Sequence, residues 1–124
     1  MRYFVTPNLE ILTCEEALKT GEVVPGHAHY HDHLTLANQG AFRVNKLAFK
    51  NGPVVESTVI RADCEYPAVH IEAGIFHTLE ALEDGSRYMC VHACHNEKGE
   101  LTVTRTGWES PETVGARLCH PDMG

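Results

Sequence analysis

Between Pro25 and Leu34 the chain reads PGHAHYHDHL, which sets His27, His29, His31 and His33 at every second position. In an extended strand, side chains two residues apart share a face, so this spacing can line one side of a sheet with imidazoles; a helix would scatter them around its axis. Such a face has three uses: it can hold a metal ion, switch with pH, or meet solvent as a polar edge. A second run, VHIEAGIFHTLEAL, places His77 three residues after Gly74, where a glycine turn re-aims the strand that follows.

Other chemistry-bearing residues are sparser. The five cysteines, Cys14, Cys64, Cys90, Cys94 and Cys119, are odd in number, irregularly spaced and free of any CxxC pair, which fits reduced thiols better than a disulfide framework. Cys90 and Cys94, four apart on a strand, would stand roughly 13 Å from each other and so could not bond without rearrangement. Arg43 and Arg61 are candidates for gripping a carboxylate or phosphate at a pocket mouth. The chain contains no nucleophile elbow, P-loop or dinucleotide fingerprint.

These residues have to be positioned by a small scaffold. A chain of 124 residues, 43% apolar and 22% charged, suits one globular domain with its own core, so residues 1–124 are expected to form a single domain. A net charge of -7 offers no electrostatic footprint for nucleic acid or an anionic membrane. No apolar run is long enough to span a bilayer, and MRYFVTPNLE lacks the pattern of a signal peptide, so the expected compartment is the cytoplasm.

TCEEALKTG is the one stretch that predicts a helical turn, with Thr13 as cap and Glu16 three residues on. Elsewhere short alternating runs are separated by Gly and Asn turns, the pattern of an antiparallel sandwich or barrel. AFRVNKLAFK, NGP and VVESTVIR predict a hairpin; FHTLEALE, DG and SRYMCVHAC predict another, closed at Asp84 and Gly85. Counting outward from that turn sets His77 opposite His92, so that Tyr88, Cys90 and His92 line the same interior as His77; in the alternative phase Met89, Val91 and Ala93 face the core. LTVTRT predicts a further strand, and 106–124 read as an arm or tail.

The histidine runs also carry a resemblance. The chain resembles a small single-domain cupin, whose first motif has the form G-x5-H-x-H-x3-E-x6-G; Gly21, His27, His29, His33 and Gly40 occupy those places, and Glu72, Gly74 and His77 occupy the second, P-x-G-x-x-H. The resemblance covers roughly Gly21 to His95. It implies an all-β double-stranded β-helix, or jelly-roll barrel, with its core at about 21–105. It also implies a mononuclear divalent metal (Fe, Mn, Ni, Cu or Zn) on His27, His29, His33 and His77. The motif's glutamate is His33 here and its proline is Glu72, so the implied site has four imidazoles and no carboxylate. His31 matches no ligand position, and Asp32 could orient a ligand ring.

For such a site the resemblance implies a small organic substrate and a dioxygenase-type oxidoreductase; the hairpin count adds His92 and Tyr88 as candidate proton-transfer groups and Cys90 beside the substrate, and Arg43 is the candidate grip at the pocket mouth. A non-redox isomerase or lyase, and a non-catalytic binding or metal-sensing module, are the alternatives. A homodimer is the expected assembly, because antiparallel barrels with exposed edges often pair.

Overall fold

The computed structural model describes residues 2–5, 9–14, 16–29 and 32–93. These form nine strands: β1 (Arg2–Val5), β2 (Leu9–Thr13), β3 (Val23–His27), β4 (His33–Gln39), β5 (Ala41–Leu47), β6 (Val54–Arg61), β7 (Ala68–Ile71), β8 (His77–Ala81) and β9 (Arg87–Ala93). One sheet has the order β1-β2-β9-β4-β7 and the other β3-β8-β5-β6, with every pairing antiparallel. Among the described strands, only β1–β2 and β5–β6 are neighbours both in sequence and in a sheet; every other connection between them crosses from one sheet to the other, which is how the chain winds a double-stranded β-helix.

Strand alternation builds the interior in layers. On β5 the inward phase is Phe42, Val44 and Lys46, while Arg43 between them points out. Across the four-stranded sheet, Ala81, Phe42 and Ile60 lie in register, as do Leu79, Val44 and Thr58. The facing sheet contributes Leu12, Cys90 and Thr35 in one row, with Ala37 and Tyr88 beyond. Leu12, Ala37, Phe42, Val44, Ile60, Ile71, Leu79, Ala81, Tyr88 and Cys90 form the continuous apolar core.

Two departures from the sequence reading concern the turns. The stretch TCEEALKTG holds no helix among its described residues: Leu18 instead makes an isolated bridge with Ser86, and its carbonyl accepts the Gly85 and Ser86 N–H groups. A strand-like partner from 68 residues away outcompetes one local turn, whose nucleation alone is unfavourable. The Asp84–Gly85 turn is present, with Gly85 at φ +83°, yet it joins β8 to β9 in opposite sheets, so the two strands do not pair. The β5–β6 hairpin, by contrast, forms in the register Ala41↔Arg61 to Leu47↔Val54. LTVTRT and the arm at 106–124 lie outside the described residues.

Candidate metal centre

At one end of the barrel both sheets replace apolar residues by polar ones. On the first sheet Glu10, His92, His33 and Ile71 lie in register across β2, β9, β4 and β7. On the second, His77, Lys46 and Glu56 lie in register across β8, β5 and β6. Residues directly opposite on antiparallel strands share a face, so each row presents its side chains as a group. The two rows, one per sheet, make a single polar layer.

Local sequence explains how the histidines reach it. Register on β3 shifts between Val24 and His27, a bulge at Pro25–Gly26 that lets Val24 stand opposite Leu79 and His27 opposite His77. His29 follows the strand, and its carbonyl accepts the Gly74 N–H at 2.8 Å. Asp32 Oδ1 accepts the Ala73 N–H at 2.8 Å, so the turn before His77 is tied twice to the first histidine run. Gly74 has φ +82°, the left-handed conformation that this turn requires.

His29, His33, His77 and His92 are all buried. Ring centroids of His29 lie 4.6 Å from His33, 4.8 Å from His92 and 5.6 Å from His77; His33 lies 4.7 Å from His92 and 5.1 Å from His77. One ring nitrogen from each of His29, His33 and His92 falls within 4.8 Å of the others. Nitrogens bound at about 2.0–2.1 Å to one ion would be roughly 3 to 4 Å apart, so small side-chain adjustments close the group on a metal. The His77 Nδ1–H donates to Ile75 O at 2.9 Å, which leaves the Nε2 lone pair for coordination. Imidazoles packed this closely and shut off from water suit a shared cation better than an apolar interior. The His29, His33 and His92 donor set therefore fits a metal ion.

The structure places the other sequence-derived candidates as follows. His27 stands opposite His77 by its backbone register; His31 lies outside the described residues. His92, expected to transfer protons, belongs instead to the group whose nitrogens converge, because its strand faces β8 across the barrel rather than pairing with it. Tyr88, four residues back on β9, is roughly 13 Å along the strand from His92. It packs edge-on against Phe42 at 5.7 Å, in the apolar core and too far away for proton transfer at the cluster.

Cys90 is buried against Thr35, with Sγ and Oγ1 3.5 Å apart. Burial pushes its thiol up to about 12, and neighbouring Cys14 and Glu10 disfavour the thiolate further, so it forms a wall of the core, not a reactive group facing substrate. Arg43 sits on the outer face and pairs with Glu80 at 4.0 Å, the position dictated by its phase between Phe42 and Val44. Arg61 pairs with Glu83 and Asp63. Asp32, beyond the Ala73 bond, meets His70 Nε2 at 3.1 Å and so braces the rim; it does not orient a ligand ring through these bonds.

Two inward charged residues were missed by sequence reasoning. Glu10 is fully enclosed, in phase with Leu12 on β2. Lys46, with its side chain 11% exposed, continues the apolar phase of Phe42 and Val44 and reaches Glu72 at 3.3 Å and Glu56 at 3.7 Å. A backbone hydrogen bond holds the Glu72 carboxyl below its ordinary value; burial opposes it, and Lys46 and His70 add to the lowering. The signal for both residues was a charge at a position where alternation calls for an apolar side chain.

No protein-family model matches the sequence, and no curated protein matches it. Solved structures do. KdgF from Halomonas sp. is similar at 22% identity and a TM-score of 0.56, covering 75% of this chain and 76% of that one. A cupin superfamily protein from Desulfitobacterium hafniense is similar at 12% identity and 0.54, covering 73% and 71%. Lactobacillus farciminis oxalate decarboxylase, solved as a formate complex, is similar at 26% identity and 0.55, covering 69% of this chain but 23% of its own. With two crossing-over sheets, a histidine layer at one end and these neighbours, the chain has the cupin superfamily fold.

Proposed function

We propose that this protein is a metal-dependent enzyme acting on a small organic molecule by a dioxygenase-type oxidation, with His29, His33, His77 and His92 as its donor set. The observation that supports this most is the buried imidazole cluster drawn from two facing sheets: the rings of His29, His33 and His92 lie 4.6–4.8 Å apart, and His77 lies 5.1 Å from His33 and 5.6 Å from His29. Four donors are fewer than the six that a first-row ion takes in octahedral surroundings, which leaves room for a small ligand. When bound, a divalent ion supplies Lewis acidity and, if redox-active, access to dioxygen chemistry. The protein's own residues do the rest. His77 is held in one tautomer by Ile75 O, and the apolar layers below exclude water.

Elemental analysis of the purified protein, followed by oxygen-uptake assays with thiol, diketone and catechol compounds, tests the reading. Iron, manganese, copper or nickel with substrate-dependent uptake supports it. No uptake by a folded, fully iron-loaded sample overturns the dioxygenase step. A zinc occupant favours a second reading, a non-redox lyase or isomerase, for which the likeness to an oxalate decarboxylase is the specific support.

A further inference from the structure

Where the cupin motif has a glutamate this chain has His33, so no carboxylate stands at a ligand position of the motifs. The structure returns one from elsewhere. Glu10 on β2 is 0% exposed and stands directly opposite His92 on β9, which in turn stands opposite His33 on β4. An acid and two imidazoles thus run side by side across three neighbouring strands, on the face that carries the donor group.

Two physical arguments give Glu10 a role. A carboxylate shut off from water persists where donors or positive charge compensate it, and the residues beside it on this row are imidazoles that a divalent ion would polarise. In addition, an imidazole that gives one nitrogen's lone pair to a metal carries an N–H on the other nitrogen, and that N–H needs an acceptor which sets the ring's tautomer and angle. For His77 the acceptor is Ile75 O. For His92 the acidic side chain directly opposite is Glu10. The converging ring nitrogens belong to His29, His33 and His92, with Glu10 outside that group, which suits it to act through His92 and not as a donor itself.

We infer that Glu10 is the positioning residue of the metal centre: it holds the His92 ring for coordination and supplies the negative charge that His33 does not. This rests on the metal-binding reading above. The test is titration of the metal-free full-length protein with Co(II) and Zn(II), in wild type, Glu10→Gln and Glu10→Asp. Glu10→Gln keeps the shape and removes the charge.

Wild type is expected to bind one equivalent of metal. Glu10→Gln is expected to bind about 10- to 100-fold more weakly, with shifted Co(II) visible bands and loss of the paramagnetically shifted His92 N–H resonance. Glu10→Asp should recover part of the affinity and the resonance, which a purely structural role would not produce. If Glu10→Gln fails to fold, Glu10→Asp alone carries the test, through weaker binding and shifted bands against no change. Wild-type affinity and an unchanged spectrum in the variants overturn the role of Glu10 alone. A wild-type protein that binds neither ion overturns the metal reading and this inference with it.

Discussion

His33 and His92 stand directly opposite each other on β4 and β9, with their rings stacked at 4.7 Å and 23°. They are 59 residues apart in sequence, yet this pair is the centre of the polar layer: His29 closes on both rings from the end of β3 and His77 faces them from the other sheet.

Single alanine substitutions should separate the donors from the remaining histidines. His29→Ala, His33→Ala and His92→Ala are each expected to weaken metal binding more than about 100-fold, exceeding the effect of losing an outer partner; His77→Ala should lower bound metal sharply, and His31→Ala should barely change it. Metal content after gel filtration checks the series, and stoichiometric retention in His92→Ala would remove that residue from the donor set. In wild type, metal at 100 times its Kd should stabilise the fold by about 2.7 kcal/mol, raising Tm by roughly 10 °C, and a chelator should reverse the rise.

Gly40 marks the crossing from β4 to β5. Its φ is +74°, and a Cβ there would stand 2.9 Å from Ser86 Cα, a backbone atom that cannot swing away. Ser86 is itself fixed, its hydroxyl lying 2.8 Å from Glu83 O and 3.2 Å from the Ala41 N–H that donates to it. Gly40→Ala should therefore destabilise by about 2–4 kcal/mol, from backbone strain and overpacking together, measured by urea unfolding.

The thiols should divide by burial. With its thiol pushed up to about 12, Cys90 stays protonated and enclosed at pH 8, whereas Cys64 is exposed. Brief iodoacetamide treatment of the folded protein should modify Cys64 and spare Cys90, with both modified in urea. Peptide mass spectrometry reads the outcome, and fast labelling of native Cys90 would contradict its place in the core.

Asp84 joins the turn before β9 to the segment ahead of β3. Its Oδ1 accepts the Thr20 N–H at 2.9 Å, and that backbone bond, followed by the Thr20 side chain, lowers its pKa below the ordinary 3.8. The native state then holds fewer protons than the unfolded chain between the two values. The stabilisation is fully present above the ordinary pKa and is lost as pH falls through the lowered one. Asp84→Asn should have a lower Tm than wild type at pH 7, with the gap narrowing as pH is taken below 3.8; a gap that does not change with pH would show the charge to be irrelevant.

Much of the architecture was legible because it depends on local periodicity. The β5–β6 hairpin, the glycines at the crossings and the shared parity of the histidine run all follow from side chains alternating every two residues and from turns that need positive φ. The helical turn was misread because its local capping signal is weak beside the Leu18–Ser86 bridge, which no short window contains. The β8–β9 pairing was misread because a two-residue Asp-Gly turn does not dictate which sheet receives the next strand.

By itself the sequence determined that this is an all-β chain with imidazoles in register, because period-two spacing relates residues within one strand regardless of their surroundings. It did not determine which phase of β2, β5 and β9 points inward, since alternation is symmetric until a second sheet is laid against one face. Only the tertiary structure, by crossing β8 and β9 into opposite sheets, could bring His92 to His33 and turn Glu10 and Lys46 into the polar layer. The inward face is chosen by the burial of the whole apolar core, a sum over strands far apart in the chain.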